Sequence, residues 1–550
     1  MNKKGSILLA LSLLLSMFLT ACSGGTSNEG KKNGSDEAGE VKQVIRTIET
    51  AEIPTMDTVQ GTDAVAFQVM NEVFEGLYRL DTNNQPTPGI AESHEVSEDG
   101  LVYTFKLRDA KWSNGTPVTA HDFVYAWRLV VDPNSASQYN FIMGDIKNAA
   151  KIAEGEMKVE DLGVVAQDEK TLQVTLEKPT PYFLSLTTFA VFLPQNEEFR
   201  TGQGENYALE SENLIYNGPF TLEEWQHEEG WKLVKNESYW DSETVKLDEV
   251  VVKVVKDPAT AVSLYETAQI DRTQGLASDY VSKYIDHEDL VTYGEPTLFF
   301  FKFNQTREAL ANVDIRKAIS MAIDKQGFTD VILNNGSIPA YFAVPKDFVS
   351  HPDTGEDFRV KNPEFLNGDV KVAQEHWEKG LQALGESSIE LELLGGDTET
   401  AMKTQEYFKN QLETNLPGLT IKLLNVPFKQ RLEIDDAMNY DIQLSGWGPD
   451  YQDAMTFMDL WVTDGGHNKM GYSNAEFDKL INDAKTTLAG DQVARFEAIQ
   501  EAERILLEED AAIAPLYQRG TSLLQKQFVK NVPIHSFGPE VSYKWAYVEK

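Results

Sequence analysis

Alternating apolar and polar residues indicate the first elements of the globular part of the chain. Residues 41–49 and 102–107 alternate with a period of two, which predicts two β-strands. Residues 64–77 repeat their apolar positions every three or four residues, which predicts a helix. The apolar stripe of that helix consists of Phe67, Met70, Phe74 and Leu77.

A second helix is predicted to begin after Thr119. Asp122 follows Thr119 by three residues, which is the spacing of a capping box, where the two residues satisfy free backbone groups of the first turn. Phe123, Trp127 and Val130 then fall on one face of the helix and are expected to be buried.

The second half of the chain repeats a strand–helix pattern. The predicted elements are strand 389–394, helix 398–412, strand 419–424, helix 428–438 and strand 441–445. Such alternation is typical of βαβ units, so we expect a mostly parallel sheet. The same reasoning predicts an amphipathic helix at 495–509 and strands at 511–518 and 528–532.

A loop rich in glycine follows strand 441–445. It reads Gly446-Trp447-Gly448-Pro449-Asp450, and because Gly and Pro interrupt regular structure we expect the strand to end at Ser445. The glycines allow the backbone to approach a ligand closely. Asp450 would then lie at the carboxyl end of a strand, where open α/β sheets bind ligands, and its carboxylate suits an ammonium group. The alternative is an ordinary turn in which Asp450 caps a helix.

The amino end has the organisation of a secretory signal segment, predicted to span residues 1–21. Lys3 and Lys4 precede an apolar run that is too short to span a bilayer comfortably. The run ends in Leu19-Thr20-Ala21-Cys22, which resembles the lipobox of bacterial lipoproteins, and Cys22 is the only cysteine of the chain. We therefore expect a lipid on Cys22 and a flexible tether over residues 22–40. The alternative is a plain signal peptide.

The length of the chain indicates how many domains to expect, and its net charge indicates which partners are possible. The part of the chain beyond the tether is too long for one hydrophobic core, so two or three domains are expected. The net charge is −38, and loss of Lys3 and Lys4 with the signal would make the chain more acidic still. Such a body would be repelled by nucleic acid and by anionic lipid, which favours small neutral or cationic partners and no nucleic acid.

Catalytic and cofactor motifs are missing from the sequence. It contains no GxSxG, HExxH, P-loop or complete dinucleotide-binding motif, and the lone cysteine excludes a thiol catalyst in the folded body. His121 has no metal-spaced partner and is interpreted as a structural or surface histidine. His227-Glu228-Glu229 lacks the second histidine of a zinc protease and is interpreted as a surface segment. We expect no cofactor, no metal and no catalytic residues.

Several longer motifs carry a resemblance to a known family. They are Phe74-Glu75-Gly76-Leu77, the run from Trp112 to Phe123, Asp132-Pro133-Asn134-Ser135-Ala136-Ser137, Asn217-Gly218-Pro219-Phe220, Asn236-Glu237-Ser238-Tyr239-Trp240, Asn304, Asp314-Ile315-Arg316-Lys317-Ala318 and residues 445–450. In this order they resemble the oligopeptide-binding proteins of ABC importers, the family 5 extracellular solute-binding lipoproteins. The similarity runs from about Val44 to Tyr543.

The resemblance implies a fold. It is an α/β, three-lobed, hinged clamshell of the periplasmic-binding-protein type (type II, peptide-binding subclass) with mixed sheets. Lobe I would comprise residues 41–74, 214–303 and 520–550. Lobe II would be inserted at 75–213, and lobe III would span 304–519. Repeated crossings between lobes predict hinged closure around the ligand.

The resemblance also implies a peptide-binding site. Gly446, Trp447 and Gly448 would lie along one side of an extended peptide, and Asp450 would bind its α-ammonium group. Tyr139 and the pair Gln274-Gly275 would line the opposite wall. Some family members hold the carboxyl end of the peptide with an arginine two residues before the Gly-Trp pair. This chain has Leu444 there, and the sequence near it offers no evident basic substitute.

The function implied is that of an extracellular, lipid-anchored, monomeric receptor on the cell membrane. It would capture oligopeptides and deliver them to the permease subunits of an ABC importer. Alternatives are a receptor for another small solute, a peptide-pheromone receptor or adhesin on the same scaffold, and a secreted hydrolase. The missing catalytic motifs disfavour the hydrolase.

Overall fold

The computed structural model describes residues 42–180 and 182–549. The predicted signal segment, Cys22 and the predicted tether lie outside the described residues. The strands, in chain order, are β1 Val44–Glu49, β2 Tyr78–Leu80, β3 Pro86–Pro88, β4 Ala91–Val96, β5 Val102–Leu107, β6 Val164–Asp168, β7 Thr171–Thr175, β8 Phe220–Gln226, β9 Gly230–Lys235, β10 Glu249–Val254, β11 Leu290–Phe303, β12 Ile338–Pro339, β13 Ile389–Gly396, β14 Leu419–Val426, β15 Ile442–Trp447, β16 Ile513–Leu524, β17 Val529–Lys530 and β18 Tyr547–Val548.

Helices connect and cover these strands. The α-helices are α1 Ala64–Val73, α2 Ala120–Val131, α3 Ala149–Ala153, α4 Phe183–Leu186, α5 Glu197–Gln203, α6 Pro258–Glu266, α7 Ser278–Tyr284, α8 Glu308–Ala311, α9 Val313–Met321, α10 Lys325–Gly327, α11 Val370–Leu384, α12 Glu399–Asn415, α13 Phe428–Asp436, α14 Met455–Met458, α15 Ala475–Lys485 and α16 Gln492–Arg504. Short 3₁₀ turns lie at Pro133–Ser135, Asn140–Met143, Val159–Asp161, Ala190–Phe192, Gly204–Asn206, Ser211–Asn213, Phe358–Val360 and Asp459–Trp461, and π-helical turns at Phe328–Leu333 and Ile505–Glu509.

Three larger sheets organise the described chain. One has the strand order β1-β10-β9-β8, with β1 parallel to β10 and the other pairs antiparallel. A second, fully antiparallel, has the order β4-β5-β7-β6. The third has six strands in the order β12-β16-β11-β15-β13-β14. A separate core lies against this third sheet and is built around Phe301, Ile315, Trp377 and Phe408.

The six-stranded sheet corrects the prediction of a mostly parallel sheet. Only β13 pairs in parallel, with β14 and with β15, whereas β11, β12, β15 and β16 form antiparallel pairs. The βαβ pattern at 389–445 was interpreted correctly. However, β11 and β16 come from distant parts of the chain and enter the sheet from the opposite direction, which local periodicity does not reveal.

Strand β15 corrects a second prediction. It was expected to end at Ser445, but it continues through Gly446 and Trp447, which pair with Phe299 and Leu298 of β11. The long partner strand supplies hydrogen bonds that outweigh the weak strand preference of glycine. The interruption therefore falls at Gly448 and Pro449.

Helix α1 ends at Val73 and not at Leu77, because Phe74 adopts an extended conformation. The Glu75 N–H then donates to Asn217 Oδ1 at 3.0 Å, and Asn217 Nδ2 donates to the Glu75 carbonyl at 2.9 Å. Gly218 packs so closely that a Cβ there would lie 2.6 Å from the Phe74 nitrogen. Tertiary contacts thus stop the helix one turn early, although Phe67, Met70, Phe74 and Leu77 are all buried as predicted.

Glu75 joins three of the sequence motifs, since its backbone bonds to Asn217 and its carboxylate to the segment 236–240. It accepts hydrogen bonds from Arg79 at 2.5 Å, from the Tyr239 hydroxyl at 2.6 Å and from Trp240 Nε1 at 2.9 Å. Burial acts to raise the pKa of Glu75, but the charges of Arg79 and Lys544 and these hydrogen bonds hold it below its ordinary value. The motifs around residues 75, 217 and 239 are therefore one buried structural unit.

The run from Trp112 to Phe123 is also structural. The Thr119 N–H donates to the Asp122 carboxylate at 2.8 Å, and Trp112 Nε1 donates to the same oxygen at 3.4 Å. Phe123, Trp127 and Val130 are buried, which confirms the predicted stripe of helix α2. The turn at 112–117 is thereby fixed to the first turn of that helix.

We predict that Glu75→Gln lowers the free energy of unfolding by about 3–5 kcal/mol, because it removes the carboxylate to which the buried Arg79 is hydrogen-bonded. Urea unfolding at about pH 8 would measure this. A pKa held low in the folded state contributes stability that is present above the pKa of the unfolded chain and lost as pH falls. The loss in the variant should therefore shrink in acid.

Glu72→Gln is the matched control. Burial raises the pKa of Glu72 to about 7, so stability is lost as pH rises from the unfolded value through that pKa. Replacing Glu72 should therefore be neutral or stabilising at about pH 8. Equal destabilisation by both variants would contradict the assigned role of Glu75.

Candidate functional site

Strand β15 has one edge without a strand partner over residues 444–447, called here the free edge. On one side β11 pairs with β15 along its whole length. On the other, β13 pairs with Ile442 and Gln443 and, among the described residues, with no later position of β15. The backbone groups of residues 444–447 that face away from β11 therefore lack a ladder partner.

The direction of these groups follows from two contacts. The Asn304 N–H donates to the Asp441 carbonyl on the β11 side at 2.9 Å. Arg431 Nη1 donates to the Leu444 carbonyl at 3.2 Å. Since backbone groups alternate in direction along a strand, the N–H and C=O of Gly446 point to the free edge, like those of Leu444.

Gly446 has a structural reason to be glycine. A Cβ at this position would lie 2.8 Å from the Phe299 ring, which stacks on Tyr517 with centroids 4.7 Å apart and planes 4° apart. At Gly448 the nearest atom to a Cβ would be Thr297 Oγ1 at 3.2 Å. The glycine that exposes backbone at the free edge thus also admits an aromatic ring beneath the strand.

Trp447 belongs to a cluster of three rings. It stacks on Tyr139 with a centroid distance of 6.1 Å and an interplanar angle of 14°, and the His467 ring lies 4.8 Å from each of them. Burial lowers the pKa of His467 to about 3, so this imidazole is neutral. Trp447 Nε1 and His467 Nε2 are buried without a hydrogen-bond partner among the described residues. Sequence reasoning missed His467, because no motif or spacing distinguishes it.

Asp450 and Tyr139 meet although they are far apart in sequence. Asp450 is 5% exposed and accepts a hydrogen bond from the Tyr139 hydroxyl. Burial raises the pKa of Asp450 well above its usual range, and the hydrogen bond from Tyr139 only partly opposes this. Burial and the Asp450 charge raise the pKa of Tyr139 in turn. The carboxyl group is therefore enclosed without a cationic partner among the described residues.

A second carboxyl group, Asp63, interacts electrostatically with Tyr139. Its Oδ1 caps helix α1 by accepting from the Ala66 N–H at 2.9 Å, whereas Oδ2 is buried without a hydrogen-bond partner among the described residues. Burial raises the pKa of Asp63 to about 6. The charge of Arg431 also acts on Asp63, so of these two acids only Asp450 has no cation among its electrostatic partners in the described part of the chain.

Gln274 and Gly275 take a different place. Gln274 Nε2 donates to Glu49 Oε2 at 2.9 Å, and Glu49 is the last residue of β1. Leu276, which follows Gly275, donates its N–H to the carbonyl of Ser522 in β16. Burial raises the pKa of Glu49 to about 7. The hydrogen bond of Gln274 goes to this carboxyl group and not to the loop at 446–450, so a role of the pair as an opposite wall stays a prediction.

Three further contacts join segments assigned to different predicted lobes. Gln138 Nε2 donates to both carboxylate oxygens of Asp436, at 2.9 and 3.0 Å. Tyr182 stacks on Tyr451 at 5.4 Å, and Lys256 pairs with Asp397 at 3.0 Å. Of residues 138–139, Tyr139 contacts the glycine-rich segment through its stack on Trp447, and Gln138 contacts the end of α13.

A basic residue does lie beside Leu444. The sequence offered no evident substitute for an arginine there, because the Leu444 side chain is buried in the core of the six-stranded sheet and Arg431 is distant in sequence. The structure brings the Arg431 guanidinium to the Leu444 carbonyl, as given above. A basic group therefore lies beside Leu444, although its contact there is with a backbone carbonyl of the protein itself.

The fold and the site are those of a solute-binding protein, with a strand edge that lacks a strand partner and buried carboxyl groups beside it. The family model "Bacterial extracellular solute-binding proteins, family 5 Middle" matches residues 85–469. The chain belongs to this family, which is one of binding proteins and not of enzymes. It has the α/β, three-lobed, hinged clamshell fold with mixed sheets of the peptide-binding type.

Named relatives agree with this assignment. The dipeptide-binding protein DppE of Bacillus subtilis is 33% identical over 98% of each chain. The structure of Listeria monocytogenes OppA bound to peptide matches with a TM-score of 0.90 and 46% identity, covering 93% of this chain and 100% of that one. The substrate-binding domain of an oligopeptide ABC transporter from Bacillus anthracis matches with a TM-score of 0.91 and 46% identity, covering 93% and 99%.

The described residues contain neither a candidate membrane-spanning helix nor a candidate metal-binding cluster. No helix among them has both the length and the apolar character that crossing a bilayer requires. Within the same part of the chain, no group of three or more His, Cys, Asp or Glu side chains is placed to hold a metal ion.

We predict that Gly446→Ala destabilises the protein by about 1–3 kcal/mol, because its methyl group would overlap the Phe299 ring. Thermal and urea unfolding would measure the loss. Gly448→Ala is the matched control and should cost less, since its neighbour is a single hydroxyl oxygen. Adding Phe299→Leu should recover part of the loss, and a double variant as unstable as Gly446→Ala would contradict the packing argument.

Proposed function

We propose that the protein is an extracellular, lipid-anchored receptor that captures oligopeptides in an extended conformation. It delivers them, as a monomer, to the permease subunits of an ABC importer. The observation that carries this proposal is the free edge of β15, which ends beside the buried carboxyl group of Asp450. Peptides are what the printed names of the relatives describe, and one similar structure is named as part of an oligopeptide ABC transporter.

The free edge supplies recognition that does not depend on sequence. An extended peptide can add to an exposed strand edge through its N–H and C=O groups, which are the same for every residue apart from proline. The N–H and C=O of Gly446 point to that edge, and neither Gly446 nor Gly448 has a side chain that would stand between the backbones. In this proposal Gly446, Trp447 and Gly448 line one side of the peptide, and Tyr139 and the Gln274-Gly275 pair contribute to the other.

Asp450 determines which end of the peptide lies at this end of the free edge. A buried carboxyl group with a raised pKa is stabilised as a carboxylate when a positive charge enters, so a peptide α-ammonium group suits it. The Tyr139 hydroxyl, which donates to Asp450, holds the carboxyl group in place. Asp63 adds a second negative group to the same region once it is ionised.

The proposed function also involves closure of three lobes and a lipid anchor. Lobe I comprises residues 41–74, 214–303 and 520–550, lobe II residues 75–213, and lobe III residues 304–519. Closure then brings Tyr139 and Gln138 of lobe II against Trp447 and Asp436 of lobe III. The protein stays at the outer face of the cell membrane through a lipid on Cys22, with residues 22–40 as the tether.

We predict that Asp450→Asn weakens binding of a free peptide by about 10- to 1,000-fold. Loss of the carboxylate leaves the ammonium group enclosed without a counter-charge. The N-acetylated peptide carries no such charge, so it should bind the parent protein poorly and respond little to the substitution. Titration calorimetry of the four combinations as a double-mutant cycle measures the coupling.

The pH dependence of the same titration gives a second test of Asp450. Ammonium binding lowers the pKa of Asp450, so protons are released on binding and affinity for the free peptide should fall as pH falls, more than for the acetylated peptide. Identical affinities for both peptides in both proteins would reduce Asp450 to a loop residue.

Closure of the lobes is a separate prediction. Small-angle scattering should show a smaller radius of gyration with saturating peptide.

We predict that Cys22→Ala releases the protein into the medium or leaves an unprocessed precursor. Acyl chains on the mature amino end give stable membrane association, and without the cysteine they have no attachment point. Cell fractionation with immunoblotting distinguishes the outcomes, and Ser23→Ala is a neighbouring control. Unchanged processing and membrane retention would exclude a lipid on Cys22.

A further inference from the structure

The motif at residues 132–137 forms a tight turn shortly before Tyr139. Asp132 Oδ1 accepts from the Asn134 N–H at 2.9 Å and from Asn134 Nδ2 at 2.8 Å. The Ser135 hydroxyl donates to the Asp132 carbonyl at 2.8 Å. Such side-chain bonds to nearby backbone stabilise turns. The turn therefore determines the direction in which the chain enters positions 138 and 139.

The loop at residues 462–468 is also stabilised by its own side chains. Asn468 is 9% exposed, and its Nδ2 donates to the Val462 carbonyl at 3.0 Å. The N–H and the hydroxyl of Thr463 donate to the Asp478 carboxylate, at 2.9 and 2.6 Å. Hydrogen bonds thus support this loop at both ends, and it presents a defined surface to its neighbours.

The turn and the loop meet at Gln138 and Gly466. A Cβ built on Gly466 would lie 2.5 Å from the Gln138 carbonyl oxygen, closer than a side-chain carbon approaches a backbone atom. Only a residue without a side chain permits this contact. The Gln138 side chain adds two hydrogen bonds to Asp436, at 2.9 and 3.0 Å. The contacts of Gln138 with Gly466 and Asp436 are called here the docking contact.

The docking contact lies one residue away from the proposed ammonium anchor. Tyr139 follows Gln138, its ring stacks on Trp447, and its hydroxyl donates to Asp450. A methyl group on Gly466 would displace the Gln138 carbonyl by at least about half an ångström, because the packing leaves no free space. Hydrogen bonds weaken when donor and acceptor are displaced or misaligned. The docking contact therefore controls the geometry of the Tyr139 hydroxyl at Asp450.

The hydrogen bond from Tyr139 matters for the charge of Asp450. Burial raises the pKa of Asp450 well above its ordinary value, and the hydrogen bond from Tyr139 acts in the opposite direction. No cation among the described residues acts on Asp450, so loss of this hydrogen bond would make the carboxylate still less favourable. The ammonium group of a peptide is attracted by the carboxylate form.

We propose that Gly466 and Gln138 are positioning residues for the anchor formed by Asp450 and Tyr139. Their contact places the Tyr139 hydroxyl on the Asp450 carboxyl group, and it thereby determines how strongly the site selects a free ammonium group. Both residues act through Tyr139. The proposal rests on the proposed function, in which Asp450 binds the α-ammonium group of a peptide.

The test compares a free peptide with its N-acetylated form by titration calorimetry, and the ratio of the two affinities is the selectivity. Gly466→Ala should lower the affinity for the free peptide by about 10- to 100-fold, because it weakens a hydrogen bond to a charged group. The N-acetylated peptide carries no ammonium group, so its affinity should change by less than about threefold.

A double-mutant cycle with Tyr139→Phe distinguishes positioning from general packing. Tyr139→Phe removes the hydroxyl and keeps the ring, so the docking contact then has no hydrogen bond to place. In that background Gly466→Ala should change the selectivity by less than about threefold. If the two substitutions reduce the selectivity additively, Gly466 acts through packing and not through Tyr139, and the proposal is overturned.

Two further variants complete the design. Gly490→Ala is the matched control, since a Cβ there would have no atom within 4 Å, and it should keep the parent selectivity. Gln138→Ala removes the bonds to Asp436 but keeps the backbone contact, so it should lower the selectivity by about two- to fivefold. Unfolding midpoints show whether each variant is folded, and Gln138→Ala takes over the cycle if Gly466→Ala is not.

The outcomes separate this proposal from the proposed function. If the parent binds free and N-acetylated peptides equally, the ammonium anchor fails and this proposal fails with it. If the parent selects the free peptide and folded Gly466→Ala does so equally well, the docking contact has no positioning role, although peptide binding stands. A loss of selectivity in Gly466→Ala that disappears in the Tyr139→Phe background would support the proposal.

Discussion

The long antiparallel ladder between β11 and β16 is the constraint on which the site depends. It runs from the pair Leu290–Leu524 to the pair Lys302–Ile513, with a break in register between Gly294 and Leu298. At that break Arg519 pairs with Glu295 and Glu540, and Thr521 also donates to Glu295. These ion pairs and this hydrogen bond connect the segment around Glu295 to β16 and to Glu540 at the break. β11 also pairs with β15 along its whole length, so the ladder holds the strand that carries the free edge.

Residues that build the fold and residues that face the cleft are largely separate. Glu75, Asn217 and Tyr239 meet in a buried hydrogen-bonded unit far in sequence from the glycine-rich loop. Arg316 is similar, since its guanidinium donates only to the backbone carbonyls of residues 310, 311, 510 and 511. Strong motifs in this chain therefore identify the scaffold. The proposed peptide-binding positions carry weaker patterns, because Gly446 and Gly448 would offer mostly backbone groups.

Burial is the largest influence on the ionisable groups near β15 and at the end of β1. The pKa values of Asp450, Asp63 and Glu49 are raised by burial, and the pKa of Arg431 is lowered by it. Each shift shows that burial disfavours the charged form of the side chain concerned.

Sequence by itself determined the local elements and the family. Helix α2 with Thr119 and Asp122, the strands at 389, 419 and 442, and the position of Asp450 after a Gly-Pro segment all follow from short-range patterns. Only the tertiary structure decided that β15 continues through Gly446 and Trp447, that α1 stops at Val73, and that the sheet is mixed. It alone placed Tyr139, His467 and Arg431 beside β15. The physical reason is that periodicity records only which face of an element is buried. Strand partners, helix ends and the neighbours of a buried charge are fixed by contacts between residues hundreds of positions apart.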